Sequence, residues 1–157
     1  MQWLMTEGKT LLEREQPLTY NEWKPLSEKA FNLWYQMDSD RPICLLYMAA
    51  VRKGISSLTH IVKADPTGDS EQSRVEHWEK YHDWIWNIQY QLQPGARFGI
   101  GSRSCRIEES RELIESMIPV AQYLKHDQLL DSIASDRFPQ KKEVQKMFVE
   151  KYKNWKW

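Results

Sequence analysis

Apolar side chains recur at steps of three and four residues along most of this chain, and that spacing constrains its fold more than any other feature. Such steps place apolar groups on one face of an α-helix, whereas a half-buried strand needs alternation at every second residue. No segment of useful length shows that alternation. The pattern therefore predicts an all-α fold, a helical bundle of five to seven helices.

Two long helices are the most clearly marked elements. The pattern predicts one over residues 42–63, with Gly54 as its weak point because glycine is a poor helix former. It predicts the other over residues 70–92, where Trp78, Ile85 and neighbours at helical spacing form one apolar face. These two helices are expected to be the longest of the bundle.

The start of an earlier helix has two candidate signals. Thr19 and Glu22 have the spacing of a capping box, in which each side chain satisfies the backbone N–H of the other residue. Pro25 disturbs that turn, and Ser27 after it is a natural N-cap. We therefore predict a helix over residues 28–37 that begins at Ser27.

Residues 93–106 interrupt the helical pattern with three glycines, one proline and three arginines. They predict one long Arg/Gly-rich loop, and long loops in compact domains are usually functional or disordered. A chain of 157 residues has the size of one ordinary domain or two small ones. We expect residues 1–157 to form a single helical-bundle domain.

The 22 basic and 22 acidic residues give zero net charge, but they are segregated along the chain. Residues 41–64 carry a net charge of +4 without a single acid, residues 93–106 carry +3, and residues 137–157 carry +5. Acidic segments lie between them. If the basic segments meet in space, they form a positive groove that attracts phosphates. The alternative is that solvated faces of a bundle simply alternate in sign.

We predict that seven basic side chains contribute to one phosphate-binding surface. They are Arg52, Lys53, Arg97, Arg103, Arg106, Lys142 and Lys146. Guanidinium forks match phosphate geometry, and lysines one helical turn apart share a helix face. The last seven residues interleave lysines with aromatic rings, which suits a single strand whose bases stack on the rings. An amphipathic helix end that docks on the bundle is the alternative for that run.

Tryptophan is unusually frequent, at 8 residues, and one core of this size cannot bury all of them. Tryptophan is also enriched in binding hot spots. Trp84 and Trp86 fall off the main apolar face of the helix expected over residues 70–92. We therefore predict that both lie in a subunit contact, with additional core filling as the alternative.

No motif in the sequence indicates catalysis. The chain has no Gly-rich phosphate loop that ends in Lys-Ser/Thr, no His-Glu-x-x-His and no Gly-x-Ser-x-Gly. Two His-Asp dipeptides, at 82–83 and 126–127, leave a metal-dependent phosphohydrolase as an alternative function. We expect no enzyme activity, no cofactor and no metal ligands.

The sequence also predicts a cytoplasmic chain. No apolar run approaches the ~20 residues of a membrane span, and the first residues do not resemble a secretory signal. Cys44 lies in an apolar run and Cys105 in a polar one, so we expect a buried thiol at Cys44 and no disulfide.

The chain resembles the small subunit of Cascade-type CRISPR interference complexes. The resemblance rests on size, helix pattern and charge. It is seen in residues 26–63, 97–106 and 144–152. The last of these also resembles the carboxy-terminal helical part of the large subunit in some cyanobacterial-type systems. The resemblance implies a non-catalytic subunit of an antiviral ribonucleoprotein complex, packed beside other subunits and copies of itself. Its basic face would hold a crRNA–target heteroduplex or single-stranded DNA or RNA. A protein–protein adaptor without nucleic-acid contact is the alternative.

Overall fold

A computed structural model of the protein describes residues 2–36, 41–92, 112–113 and 115–125. These residues form α-helices, one π-helical segment and no strand, which confirms the all-α prediction. The π-helical segment, Leu4–Gly8, leads directly into α1. The helices are α1 (Lys9–Glu13), α2 (Tyr20–Gln36), α3 (Arg41–Ala64), α4 (Glu71–Leu92) and α5 (Ile118–Tyr123). The predicted loop over residues 93–106 and any sixth or seventh helix lie outside the described residues.

The two long helices predicted from periodicity are present as α3 and α4, each within one residue of its expected ends. They succeed as predictions because periodicity over more than five turns is a strong local signal. None of the helices in the described part of the chain is both long enough and apolar enough to cross a membrane.

The predicted start of α2 at Ser27 is wrong. The helix begins at Tyr20 and runs through Pro25, and Ser27 is buried in its interior at 1% exposure. The capping box forms instead: the Glu22 N–H donates to Thr19 Oγ1 (3.2 Å), and the Thr19 N–H donates to Glu22 Oε1 (3.0 Å). These bonds and the burial of apolar side chains on both sides of the proline compensate for the backbone hydrogen bond that proline cannot make.

The centre of the core is a close contact between α2 and α3. Trp23 is fully buried, and its indole N–H donates to the Ala50 carbonyl oxygen (2.9 Å). Its ring fills the space where a side chain at position 54 would lie, since a Cβ on Gly54 would approach the ring to 2.4 Å. The absence of a side chain at Gly54 therefore leaves the space that the Trp23 ring occupies, so this glycine has a packing role and is not merely a weak point of α3.

A second aromatic pair joins the same two helices near the other end. The Trp34 and Tyr47 rings stack with centroids 4.9 Å apart and an interplanar angle of 11°. The Tyr47 hydroxyl donates to the Gln91 carbonyl oxygen, and the Gln91 side-chain amide donates to Ser27 Oγ. Complete burial raises the pKa of Tyr47. This end of the core thus links α2, α3 and α4 through one chain of hydrogen bonds.

Cys44 lies in the core on α3 and is fully buried, as predicted, but it is disulfide-bonded. The expectation of no disulfide is therefore wrong for this residue. Separation along the chain and unlike surroundings, on which that expectation was based, do not fix separation in space. The other of the 2 cysteines, Cys105, lies outside the described residues.

Candidate nucleic-acid interface

The outer face of α3 carries a row of basic side chains. The row consists of Arg41, Arg52 and Lys63, and each is 11 residues from the next. At ~100° per residue, 11 residues make about three full turns, so the three side chains lie on almost the same side of the helix. At a rise of ~1.5 Å per residue, the row extends over about 33 Å. Arg52 and Lys63 are exposed and Arg41 is half-buried. We call these three residues the basic row.

The two exposed members of the basic row, Arg52 and Lys63, have no carboxylate partner among the described residues. Arg41–Ala64 contains no acidic residue, so α3 cannot form an ion pair with itself. Arg52 and Lys63 make no ion pair with any described residue. Several other basic side chains do have a carboxylate partner; they include Lys9, Arg14, Lys24, Lys80 and Lys125. Arg52 and Lys63 thus present positive charge that is available to an external anion.

Lys53 lies on the same helix but has a structural contact. Its side chain is half-buried, and its ammonium group donates to the carbonyl oxygen of Arg14 at the carboxyl end of α1. A cation at that end of a helix also interacts favourably with the helix dipole. Lys53 therefore links α1 to α3 through this hydrogen bond. A contact from Lys53 to a phosphate would have to use the remaining ammonium hydrogens.

Arg14 itself is engaged by an acid. Its guanidinium donates to both carboxylate oxygens of Glu22, each at 2.8 Å, and to the Pro17 carbonyl oxygen at 3.2 Å. The side-chain hydrogen bonds from Arg14 lower the pKa of Glu22 to about 2. Because its charge is already compensated, Arg14 adds little to the basic row, although it lies close to Lys53.

The structure describes two of the seven predicted phosphate-binding residues, Arg52 and Lys53, and places them next to each other on α3. The prediction that all seven share one surface stays a prediction. The remaining five lie outside the described residues: Arg97, Arg103, Arg106, Lys142 and Lys146. Arg41 and Lys63 complete the row, and the sequence signal for them is the 11-residue spacing within an acid-free segment.

Trp84 and Trp86 have opposite environments, so the reason for assigning both to a subunit contact is wrong for Trp84. That ring is only 4% exposed and stacks on Trp23 at 5.7 Å, with Tyr20 at 5.6 Å. Two residues along a helix amount to about 200° of rotation, so Trp86 points the other way. It is 61% exposed. The subunit contact remains a prediction for Trp86.

A polar cluster that sequence reasoning missed joins the turn after α3 to α4. The Asp65 carboxylate accepts hydrogen bonds from Lys80 Nζ (2.7 Å) and the Tyr81 hydroxyl (2.8 Å), and it lies 3.3 Å from His77 Nε2. These bonds, Lys80 first, lower the pKa of Asp65 to about 2. The signal in the sequence is the helical spacing of residues 77, 80 and 81, which share one side of α4.

The described residues give little support to the alternative function of a metal-dependent phosphohydrolase. They contain no group of three or more histidine, cysteine or acidic side chains that could hold a metal ion. His82 Nε2 lies 3.1 Å from Asp83 Oδ1, but both side chains are on the outside of α4. The second His-Asp dipeptide lies outside the described residues.

Comparison with known proteins adds no relative to this description. No protein family, curated protein or solved structure matches the chain.

Proposed function

We propose that this protein is a non-catalytic, nucleic-acid-binding subunit of a multi-subunit CRISPR effector complex. The observation that carries the nucleic-acid part is the basic row on α3, whose two exposed members have no carboxylate partner among the described residues. The CRISPR assignment rests on the resemblance in size, helix pattern and charge described above. Neither part assigns any chemistry to the chain.

The basic row fits a polyanion better than a small anion. Its two exposed members, Arg52 and Lys63, are about 16 Å apart, so one small phosphate compound cannot contact both, whereas a strand laid along α3 can meet them in turn. Contacts of this kind are made to phosphates and hold a strand without reading its bases. The proposed role is therefore to hold the target or displaced strand independently of its sequence.

The experiment is a titration of fluorescently labelled single-stranded DNA and RNA with the wild type and two doubly reversed variants. Arg52→Glu with Lys63→Glu removes two members of the basic row. Lys9→Glu with Arg74→Glu is the matched control, because it makes the same charge change at exposed positions on α1 and α4.

We expect the row variant to weaken binding at least tenfold for every sequence tested, and the control variant to weaken it much less. Equal loss in both variants would show only a response to net charge and would contradict the proposal, as would unchanged affinity in the row variant. If the isolated chain binds weakly, the same comparison is made within the assembled complex. A CRISPR array adjacent to the gene would support the second part of the proposal, and retention of the chain by a guide-RNA complex would test it directly.

The protein–protein adaptor remains a second candidate because of one observation. Trp86 is a large aromatic side chain with 61% of its surface exposed, on a helix other than the one that carries the basic row. A protein contact there and strand binding on α3 can be tested separately, and the adaptor function applies if α3 binds no nucleic acid.

A further inference from the structure

The outer face of α4 combines acidic side chains with exposed apolar ones. Its exposed residues occupy a sector of about 120° when placed at ~100° per residue. They are Gln72, Val75, Glu76, Glu79, His82, Asp83 and Trp86. Three of them are acidic and none is lysine or arginine; Arg74 and Lys80 project to either side of the sector. We call this set the acidic face.

The acidic face also concentrates exposed apolar surface. Four large hydrophobic side chains are exposed among the described residues, and two of them, Val75 (48%) and Trp86 (61%), are on this face. The other two, Met5 and Leu45, lie on separate helical segments. Trp86 is strongly exposed and has carboxylates beside it on the same helix. This combination is typical of a contact surface, since tryptophan is enriched in binding hot spots.

The spacing along the acidic face indicates what kind of element it contacts. Val75, Glu79, His82 and Trp86 follow one another at steps of four, three and four residues. Such steps align side chains along the line where one helix meets another, as in the seam of a coiled coil. Glu79 stands in the middle of that line and requires a positively charged side chain opposite it when water is excluded.

We propose that the acidic face docks a basic amphipathic helix of a partner protein. The apolar side of that helix would cover Val75 and Trp86, and its lysines or arginines would meet Glu76, Glu79 and Asp83. A cation of the partner can also lie over the Trp86 ring. This inference is independent of the proposed nucleic-acid function, because carboxylates repel phosphates and the basic row is on a different helix.

Among the described residues, a second copy of this chain offers no helix that matches the acidic face, so the proposal commits to a partner protein. Of the described helices, only α3 carries basic side chains without acidic ones, and its surface is the basic row. That row has one exposed apolar side chain beside it, Leu45, and its charges are separated by about 16 Å. It therefore does not supply the closely spaced cations and continuous apolar strip that match the acidic face.

The test measures binding of a fluorescein-labelled synthetic helix of about five turns, with lysines on one side and leucines on the other. A version with glutamate in place of lysine is the control peptide. The protein variants are Trp86→Ala and the double reversal Glu79→Lys with Asp83→Lys. Their matched controls are Met5→Ala, an equally exposed apolar side chain, and Glu7→Lys with Glu28→Lys, two exposed acids on other elements.

We expect the lysine peptide to bind the wild type and both control variants, and to bind Trp86→Ala and the charge-reversed variant at least tenfold more weakly. The glutamate peptide should not bind. Circular dichroism of every variant checks that the fold is intact, and the row variant Arg52→Glu with Lys63→Glu should bind the peptide as the wild type does. That last result separates this proposal from the proposed function.

Three results would overturn the proposal. The first is equal binding of both peptides, or equal binding by the face variants and their controls. The second is a concentration-dependent dimer of the wild type that Trp86→Ala abolishes, which would assign the face to a second copy. The third is a loss of nucleic-acid affinity in Trp86→Ala, which would assign the face to the nucleic-acid surface.

Discussion

α3 and α4 are neighbouring helices of nearly equal length, 24 and 22 residues, but different interactions hold them in place. α3 is held mainly by apolar packing, and Tyr47 and Ser57 are the residues with a hydroxyl group among those buried on it. α4 is held by aromatic rings together with directional side-chain bonds, such as that from the Asn87 amide to the Tyr20 hydroxyl (2.7 Å). Apolar packing dominates the position of the first helix, whereas polar side chains along the second helix, from His77 to Asn87, add directional contacts to its packing.

The two outer faces differ in a complementary way. Every charged side chain on α3 is basic, whereas the charges on the outer face of α4 are acidic. Within a chain of zero net charge, these two helices therefore present surfaces of opposite sign. This difference is the reason for assigning two kinds of ligand to one small bundle. The following experiments test the comparison between the helices, from the largest expected change to the smallest.

The largest effect is expected from Trp84→Ala on the inner side of α4. Removing this buried ring opens a cavity beside Trp23, and such substitutions cost about 3–5 kcal/mol of stability. Trp86→Ala on the outer side is the matched control and should change stability by less than about 0.5 kcal/mol. Chemical denaturation of both variants measures the difference. Similar losses for both would contradict the burial of Trp84 and the exposure of Trp86.

A smaller but still large effect is expected from Gly54→Ala on the inner side of α3. Alanine is the better helix former by about 1 kcal/mol, so a helix held by propensity alone would become more stable. Because a Cβ there would approach the Trp23 ring to 2.4 Å, we expect a net loss of about 2–3 kcal/mol from overpacking. Ser56→Ala, at an exposed position on the same helix, is the control.

The steric reason can be checked by a second substitution. If Trp23 is the obstacle, Trp23→Leu should destabilise the Gly54→Ala variant much less than it destabilises the wild type. Denaturation of the two single variants and the double variant measures this coupling. Additive losses would show that position 54 and the Trp23 ring do not compete for space.

An intermediate, pH-dependent effect is expected from Asp65→Asn in the polar connection to α4. The folded protein holds the pKa of Asp65 at about 2, below its ordinary value of 3.8. The ionised carboxylate therefore stabilises the fold above about pH 4, and this contribution is lost as the pH falls through about 2. Because the side chain is 42% exposed, solvent reduces the effect to about 1 kcal/mol at neutral pH.

Unfolding of Asp65→Asn and of the wild type from pH 7 to pH 2 tests this expectation. The difference between them should be nearly constant above about pH 5 and should have lost most of its size at about pH 2. Glu79→Gln is the control, because it removes an exposed carboxylate of α4 that has no ion-pair partner among the described residues. A constant difference over the whole range would show that Asp65 acts through packing and not through its charge.

The smallest effect on stability is expected from Arg52→Glu with Lys63→Glu on the outer side of α3. Both side chains are exposed, so we expect less than about 0.5 kcal/mol. Their effect should appear instead in the salt dependence of binding to a single strand. Loss of two phosphate contacts flattens the slope of log K against log salt by about 1.4. An unchanged slope would contradict a role in phosphate binding.

The sequence by itself determined the parts of this fold that depend on local spacing. Periodicity over many turns defined α3 and α4 almost to the residue, since each apolar position adds to the same signal. The acid-free stretch over residues 41–64 likewise made α3 basic wherever the helix lies. The start of α2 was less certain, because two capping signals stood close together and only one could be used.

Only the tertiary structure decided which side of each helix is inside. Trp84 and Trp86 are equivalent as sequence signals, and it is the position of Tyr20 and Trp23 on α2 that buries one ring and leaves the other exposed. Glycine at position 54 weakens the helix because of its low helix propensity, but the Trp23 ring beside it leaves no room for a side chain there. In each case the deciding contact comes from a residue distant in the chain, and spacing within one helix carries no information about that residue.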